Sequence, residues 1–363
     1  MDPFVSAAPQ ALVAMSGGVD SSVAAYLLNA QGIRCIGVTM KLYDNEDVGL
    51  TKAHACCTLE DALDARAVAY ALGMKHYVFN YRARFDETVI RRFIEAYRHG
   101  RTPNPCIDCN RFLKFGALLD QARLLGCTFA ATGHYARVGF DAGSGRWLLK
   151  TGLDAGKDQS YVLYSMTQAQ LAHVRFPLGA LTKAQVREIA IGQGFVNARK
   201  HDSQDICFAP DGDYAGFIER HTGKACPPGD FVDAGGKVLG RHRGIIHYTI
   251  GQRRGLGLSF PQPMYVAGID PVRNTVTLAP EEGLYTKTLK AHDLNFIACA
   301  SLPSPVRVQA KVRYRHAAQP ARVWQEGEDC LRVEFDTPQR AVTPGQAVVL
   351  YDGETVIGGG TID

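Results

Sequence analysis

The chain has 363 residues, 46% hydrophobic and 21% charged, a length that supports two or three domains and a composition that excludes a disordered or collagen-like polypeptide. Forty Lys plus Arg against thirty-six Asp plus Glu leave a formal charge of +4, too weak a bias to imply a polyanionic partner unless local charge does so. Ten cysteines are too sparse for a disulfide-stapled scaffold, and with neither a leader-like stretch nor a run of ~18 apolar residues the expectation is a cytoplasmic protein with reduced thiols and no membrane partner.

In chain order, Ala11 to Met15 predicts a short buried strand, followed by a Gly-rich turn and an Ala-rich helix from about Ser22 to Ala30 that Gly32 ends. Ile33 to Thr39 predicts a second strand. A helix opens at Thr58, with Asp61 in a capping-box-like position, and ends near Gly73 before a strand at Tyr77 to Phe79. A further helix spans about Phe85 to His99; after the Pro-rich loop 101–109 comes a helix to Leu125 and a strand from Thr128 to Ala131. Strands alternating with helices predict an α/β fold with a parallel, doubly wound sheet. Past about residue 205, Gly and Pro become frequent and short alternating runs replace helical periods. Tyr265 to Leu278 predicts a hairpin turning at Asp270-Pro271, and the segments near 306–312, 321–324, 331–335 and 347–351 predict a small antiparallel β-barrel. The expected domains are 1–208, catalytic; 209–290, small and central; and 291–363, the barrel.

Ser16-Gly17-Gly18-Val19-Asp20-Ser21-Ser22 joins the first strand to the first helix, where backbone N–H groups and the helix dipole favour an anion. The glycines let the backbone close on phosphate oxygens, the serines add donors, and Asp20 is a candidate magnesium ligand. The Gly-Lys-Ser/Thr ending of a Walker loop is missing. The string instead resembles the PP-loop ATP pyrophosphatases, which implies transfer of AMP to an oxygen and release of pyrophosphate.

Two thiols are candidates for sulfur chemistry. Cys109 precedes Asn110 and Arg111 at an expected helix start, and Cys207 ends a run beginning Lys200-His201; positive charge and a helix N-terminus lower a thiol pKa. Cys35, Cys127, Cys299 and Cys330 lie in strand-like or apolar runs and read as buried residues. Cys226 is unassigned; Cys56 and Cys57 read either as structural or as facing the nucleotide. The Cys106-x-x-Cys109 pair has no second such pair to complete a four-thiolate zinc site.

Six motifs in order, the loop above, Arg101-Thr102-Pro103-Asn104-Pro105 with Cys109-Asn110, Ala131-Thr132-Gly133-His134-Tyr135, Lys157-Asp158-Gln159-Ser160-Tyr161, Asp202 to Phe208, and Tyr248 to Gly257, resemble the bacterial tRNA-specific 2-thiouridylase family. The resemblance runs nearly end to end. It implies a PP-loop domain, a small central domain and a C-terminal β-barrel, and ATP-dependent 2-thiolation of the wobble uridine of tRNA. ATP is then bound by Ala14, Met15, Ser16, Gly17, Gly18, Val19, Asp20 and Ser21, with Met40 and Gly133 beside the adenosine. Cys109 matches the nucleophile and Cys207 the persulfide carrier, the two forming a transient disulfide. Asn104, Pro105 and Cys106 match the residues that meet the target base; Lys157, Asp158, Gln159, Arg313 and Tyr314 match tRNA contacts. The implied partners are tRNA and a persulfide relay protein or cysteine desulfurase, and the implied state is a monomer.

Two departures matter. Ala14 stands where many relatives have Gly, and Cys106 where Asp is common, which puts an acid–base role there in doubt. A third thiol also permits an iron–sulfur cluster on Cys106, Cys109 and Cys207 as an alternative route to the same product. Basic residues between Arg82 and Arg101 read as a solvated helix face; Arg307, Lys311, Arg313, Arg315 and Arg322, with Tyr314 and no acidic residue among them, read as an RNA patch. Rival readings are an amidating PP-loop ligase, for which no glutaminase domain is evident, and a nucleotide-regulated RNA-binding protein without chemistry.

Overall fold

The computed structural model describes residues 9–44, 59–201 and 206–363. Thr58, Cys56, Cys57 and Asp202 to Asp205 therefore lie outside the described residues, and so does most of the loop 44–57. Contacts divide the chain into two compact units: one holds residues up to 88 with 106–211 and 354–356, the other 89–105, 212–353 and 357–363.

In the first unit, β1 (Gln10–Ala14) leads into α1 (Val19–Ala30), and β2 (Arg34–Lys41) into α2 (Leu59–Ala71) and β3 (Lys75–Asn80). Then follow β4 (Phe129–Ala131), a hairpin of β5 (Ala136–Asp141) and β6 (Arg146–Thr151), and β7 (Val174–Arg175). The sheet order is β3-β2-β1-β4-β7, with every pairing parallel. Ala11, Leu12 and Val13 are fully buried. Successive strand residues point to opposite faces, so they feed two cores: Ala11 and Val13 join Val23, Leu28 and Val186, while Leu12 joins Val38, Leu118 and Ala122. Both faces are covered, as a parallel sheet requires. The chain winds outward from β1 through β2 to β3, then returns to lay β4 on the other side of β1. That reversal opens a crevice at the C-terminal ends of β1 and β4, where doubly wound sheets bind ligands.

One helix boundary differs from expectation in a way that matters. The helix expected to open after 109 begins at Pro105, and residues 109–117 continue it with π-type hydrogen bonding before it ends at Leu124. Proline suits a first helical position, where its missing N–H costs nothing. Cys109 is therefore a full turn inside a helix and not at its start.

In the second unit, β8 (Gly229–Val232), β9 (Val238–His242), β10 (Tyr265–Asp270) and β11 (Thr275–Ala279) form a sheet in the order β10-β11-β8-β9. The expected hairpin at Asp270 is its β10–β11 pair. The remaining strands are β12 (Tyr285–Phe296), β13 (Val306–Lys311), β14 (Gln319–Gln325), β15 (Leu331–Arg340), β16 (Ala347–Asp352) and β17 (Thr355–Ile362). They run β12-β15-β14-β13-β16-β17, and β12 pairs again with β17 to close a six-stranded barrel. Alternate residues such as Val308, Val323, Val333 and Leu350 fill it. No helix among the described residues is long and apolar enough to cross a membrane.

Candidate active site

The loop after β1 is a pre-tied cradle. Ser21 Oγ accepts from the Ser16 N–H at 3.1 Å and donates to the Gly18 carbonyl at 3.0 Å, and Ser22 Oγ donates to the same carbonyl at 3.1 Å. Gly17 has φ +76, and a Cβ there would collide with the Asp61 carbonyl at the start of α2, so only glycine fits on both counts. Gly133, just past β4, lies against the other side: a Cβ would come within 2.7 Å of the Asp20 carbonyl carbon and 2.8 Å of the Ser21 nitrogen. The two glycines bring β4's exit onto the first turn of α1, at the mouth of the crevice. Met15 is anchored beneath, its N–H donating to the Val38 carbonyl at 2.7 Å and its carbonyl accepting from Thr39 Oγ1 at 2.7 Å. Ala14 and Met40 are half-buried at the ends of β1 and β2.

Asp20 has partners that the sequence did not reveal. Lys183 Nζ donates to both its oxygens, at 2.8 and 2.9 Å, and the Tyr135 hydroxyl donates to Oδ1 at 2.7 Å. Lys183 is 9% exposed and opens the helix Lys183–Gly192 behind a Thr182–Gln185 capping box. The carboxylate keeps lone pairs for a cation, and no group of three or more His, Cys, Asp or Glu is gathered among the described residues. Magnesium fits such a place as an ion taking one carboxylate together with substrate phosphates. The only advance signal for Lys183 was a Thr-Lys pair at a helix start, which many surface helices share.

The cysteines differ from one another. Cys106 is exposed, Cys207 half-buried and Cys109 buried. Burial pushes the Cys109 thiol up to about 11, against a smaller opposing effect of Lys114. The expectation of a thiol activated by a helix start and neighbouring positive charge is corrected here: desolvation outweighs charge one turn inside the helix. Cys207 is held by its backbone, its carbonyl accepting from the Tyr43 hydroxyl at 2.6 Å. Phe208 behind it packs edge-on against Phe85. Cys106, Cys109 and Cys207, as placed, do not form a three-thiolate metal site, so the iron–sulfur alternative finds no donor set among the described residues. Of the four cysteines expected to be buried, Cys127 is, whereas Cys35, Cys299 and Cys330 are half-buried; burial and Cys127 push the Cys35 thiol up to about 11.

Several residues matched to RNA contacts have structural partners. Asp158 accepts from the Gly152 and Ser160 N–H groups at 3.0 and 3.1 Å and from Ser160 Oγ at 2.8 Å. Gln159 exchanges two hydrogen bonds with the Tyr135 backbone, and Lys157 is half-exposed beside them. His134, between these groups, is buried and bonded to Thr132 Oγ1 at 2.6 Å; burial holds its pKa well below the ordinary value. In the second unit, Asn104 is half-buried and Pro105 buried. The Arg313 guanidinium turns inward, donating to the Ile250 and Ala341 carbonyls and to Thr343 Oγ1. Tyr314 lies half-exposed under the Lys311 ammonium.

The first unit contains most of a segment, residues 9–211, that matches the tRNA methyl transferase HUP domain model. Residues 215–280 match the tRNA methyl transferase PRC-barrel domain and 286–362 the aminomethyltransferase β-barrel domain. The tRNA-specific 2-thiouridylase MnmA of Clostridioides difficile (strain 630) is 49% identical over 352 residues, 97% of each chain. That of Moorella thermoacetica is 51% identical over 353 residues, 97% of this chain and 99% of its own. The chain belongs to the tRNA-specific 2-thiouridylase family. The thiouridylases match almost the whole length, so both units are part of the family's architecture. A solved 4-thiouridine synthetase–RNA complex with bound ATP is a remote likeness, 18% identical with a TM-score of 0.34, covering 56% of this chain and 45% of that one.

Proposed function

We propose that the protein is an ATP-dependent tRNA-uridine 2-sulfurtransferase that thiolates the wobble uridine. The near-complete match to thiouridylases carries the reading, and the tied loop at the crevice supplies its ATP half. A carbonyl oxygen is a poor leaving group, so C2 of uridine has to be activated before sulfur can replace it. The uridine O2 attacks the α-phosphorus of ATP and pyrophosphate leaves. The terminal sulfur of a Cys207 persulfide then attacks C2, and AMP departs with the former O2. The Cys109 sulfur attacks Cys207 Sγ and displaces the thiolated base, leaving a Cys109–Cys207 disulfide that an external thiol reduces.

The loop's N–H groups and the first turn of α1 face the phosphates. Bound with the phosphates at Asp20, magnesium would supply charge neutralisation for the departing pyrophosphate. Lys183, released from part of its bonding to Asp20, adds a second positive charge near the same oxygens. Asn104, Pro105 and Cys106 meet the flipped base, and Lys157 and Tyr314 frame the tRNA, while Asp158, Gln159 and Arg313 act by holding neighbouring backbone in place. The enzyme acts as a cytoplasmic monomer, loaded by a persulfide relay protein or a cysteine desulfurase.

The test is mass analysis of tRNA nucleosides after incubation with ATP, magnesium and a persulfide donor, with AMP measured in parallel. Thiouridine and AMP should appear together and only with tRNA. AMP formation without any need for tRNA would favour the ligase reading, and neither product would favour a binder.

A further inference from the structure

The β5–β6 hairpin of the first unit ends in an aromatic pair. Phe140 and Trp147 stand opposite each other in its register, ring centroids 5.5 Å apart and tilted, and Phe140 is 56% exposed. Behind them the contacts continue inward. The Arg175 guanidinium of β7 lies 5.5 Å from the Trp147 ring and 5.4 Å from that of Phe129, a buried residue of β4. The Trp147 backbone is clamped as well, its N–H donating to Gln168 Oε1 at 2.8 Å and its carbonyl accepting from Gln168 Nε2 at 2.9 Å. The exposed ring thus rests on a fixed support that reaches back to the parallel sheet.

A cross-strand aromatic pair supports a hairpin, but that role uses one side of Phe140 and leaves the rest in water, where a large apolar ring gains nothing for folding. The surrounding charge shows what the outer side suits. Residues 136–151 carry Arg137, Arg146 and Lys150 against Asp141, and Asp141 is turned into the tip, accepting from the Ser144 N–H and Oγ at 2.8 and 2.6 Å. With Arg175 behind Trp147, the aromatic tip is set in positive charge. An apolar peptide gains nothing from those cations, whereas a nucleotide has a flat π-face for the ring and a phosphate for the charge. β6 also runs on toward Lys157, read above as framing the tRNA, and Asp158 beside it accepts from the Gly152 N–H just past the strand end.

We propose that Phe140, backed by Trp147 and Arg175, is a stacking platform for an unpaired nucleotide of the bound tRNA other than the target uridine, with the basic side chains of the hairpin holding the adjoining phosphates. The proposal rests on the tRNA half of the reading above. Its consequence is a grip that does not read sequence, because a ring face accepts any base.

The experiment measures binding of an unmodified transcript of a tRNA with uridine at the wobble position to the full chain, by fluorescence anisotropy over a range of salt concentrations. Phe140→Ala should weaken binding about tenfold at every salt concentration, with the slope of log Kd against log salt unchanged, because a stacked base releases no counterion. Phe140→Leu, which keeps the apolar bulk and loses the π-face, should weaken it by at least about fivefold, and Phe140→Tyr should stay within about twofold of the unaltered protein. All four proteins should share one thermal midpoint, since the substituted ring is largely in water. An affinity of Phe140→Ala or of Phe140→Leu equal to that of the unaltered protein overturns the platform and leaves the tRNA reading in place. If Phe140→Ala lowers only sulfur uptake from a protein donor, the tip docks a protein and the platform is overturned as well. No binding of the transcript by the unaltered protein overturns the tRNA reading and the platform together. Absence of thiouridine with the Phe140 series ranked as stated defeats the proposed reaction and leaves the platform standing.

Discussion

At Cys109 the thiol is buried and protonated, and this sets what can be measured there. A thiol pushed up to about 11 exposes little thiolate at neutral pH, so labelling of Cys109 should be slow at pH 7 and rise about tenfold per pH unit until that value is reached. Label incorporation followed from pH 7 to 11 checks it, and a plateau near pH 8 would mean that the thiol is already activated. The sign for stability follows from the same proton. Above pH 9 the unfolded chain loses it while the folded chain keeps it, so folding stability should fall as pH rises from 9 toward about 11. Cys207 answers to a different test: Cys207→Ser should remove thiouridine formation by at least about a hundredfold while one round of pyrophosphate release on tRNA persists. Nothing in the sequence distinguished these environments. A Cys beside Arg looks activated in one dimension, and only the packing of the helix 105–124 shows that the thiol is buried.

The elements around the loop were largely legible. The apolar run at Ala11 to Met15, the glycines after it and the Ala-rich helix reappear as β1, loop and α1, because strand burial and glycine conformation are local properties. The long-range partners were not. Gly133 is legible as a glycine, but its reason is the Asp20–Ser21 backbone 2.7 Å from where a Cβ would stand. Gly133→Val should therefore weaken ATP binding by about tenfold or more, measured by calorimetry, with little change in tRNA affinity. Lys183 lies far along the chain from the residue it pairs with. Lys183→Met should lower AMP formation by about a hundredfold, because Asp20 loses its partner and the phosphates lose a positive charge. An unchanged AMP rate in that variant would confine Lys183 to holding the fold. Asp61 illustrates the same limit: its capping-box-like position predicts a bond to its own helix, and its carboxylate bonds Lys200.

Over the whole molecule, charge is the property that linear reading handles least well. Arg307 to Arg322 is free of acidic residues in the sequence, yet β15 lies beside β14 and supplies Asp336 and Glu334. Asp336 takes Arg307 at 2.8 Å through both guanidinium nitrogens, and Glu334 stands opposite Arg322 in the strand register. Arg313 faces inward. The patch is smaller than its sequence suggests, with Lys311, Tyr314 and the exposed Arg315 as its outward members. Arg313→Ala should thus lower the thermal midpoint, losing roughly 1–3 kcal/mol as its hydrogen bonds to Ile250, Ala341 and Thr343 are lost, whereas Arg315→Ala should leave the midpoint alone and reduce the salt dependence of tRNA binding. Parallel sheet and closed barrel both follow from periodicity, since alternation and burial are written along the strands. The interleaving of 89–105 and 354–356 between units is not, because it depends on contacts made far from each segment.

The oxygen of the target base offers the most direct test. A tRNA carrying ¹⁸O at the wobble uridine O2 is turned over with unlabelled ATP, and the AMP is weighed by mass spectrometry. Adenylation at that oxygen should place one ¹⁸O in the AMP for every thiouridine formed; thiouridine formed with unlabelled AMP would contradict it.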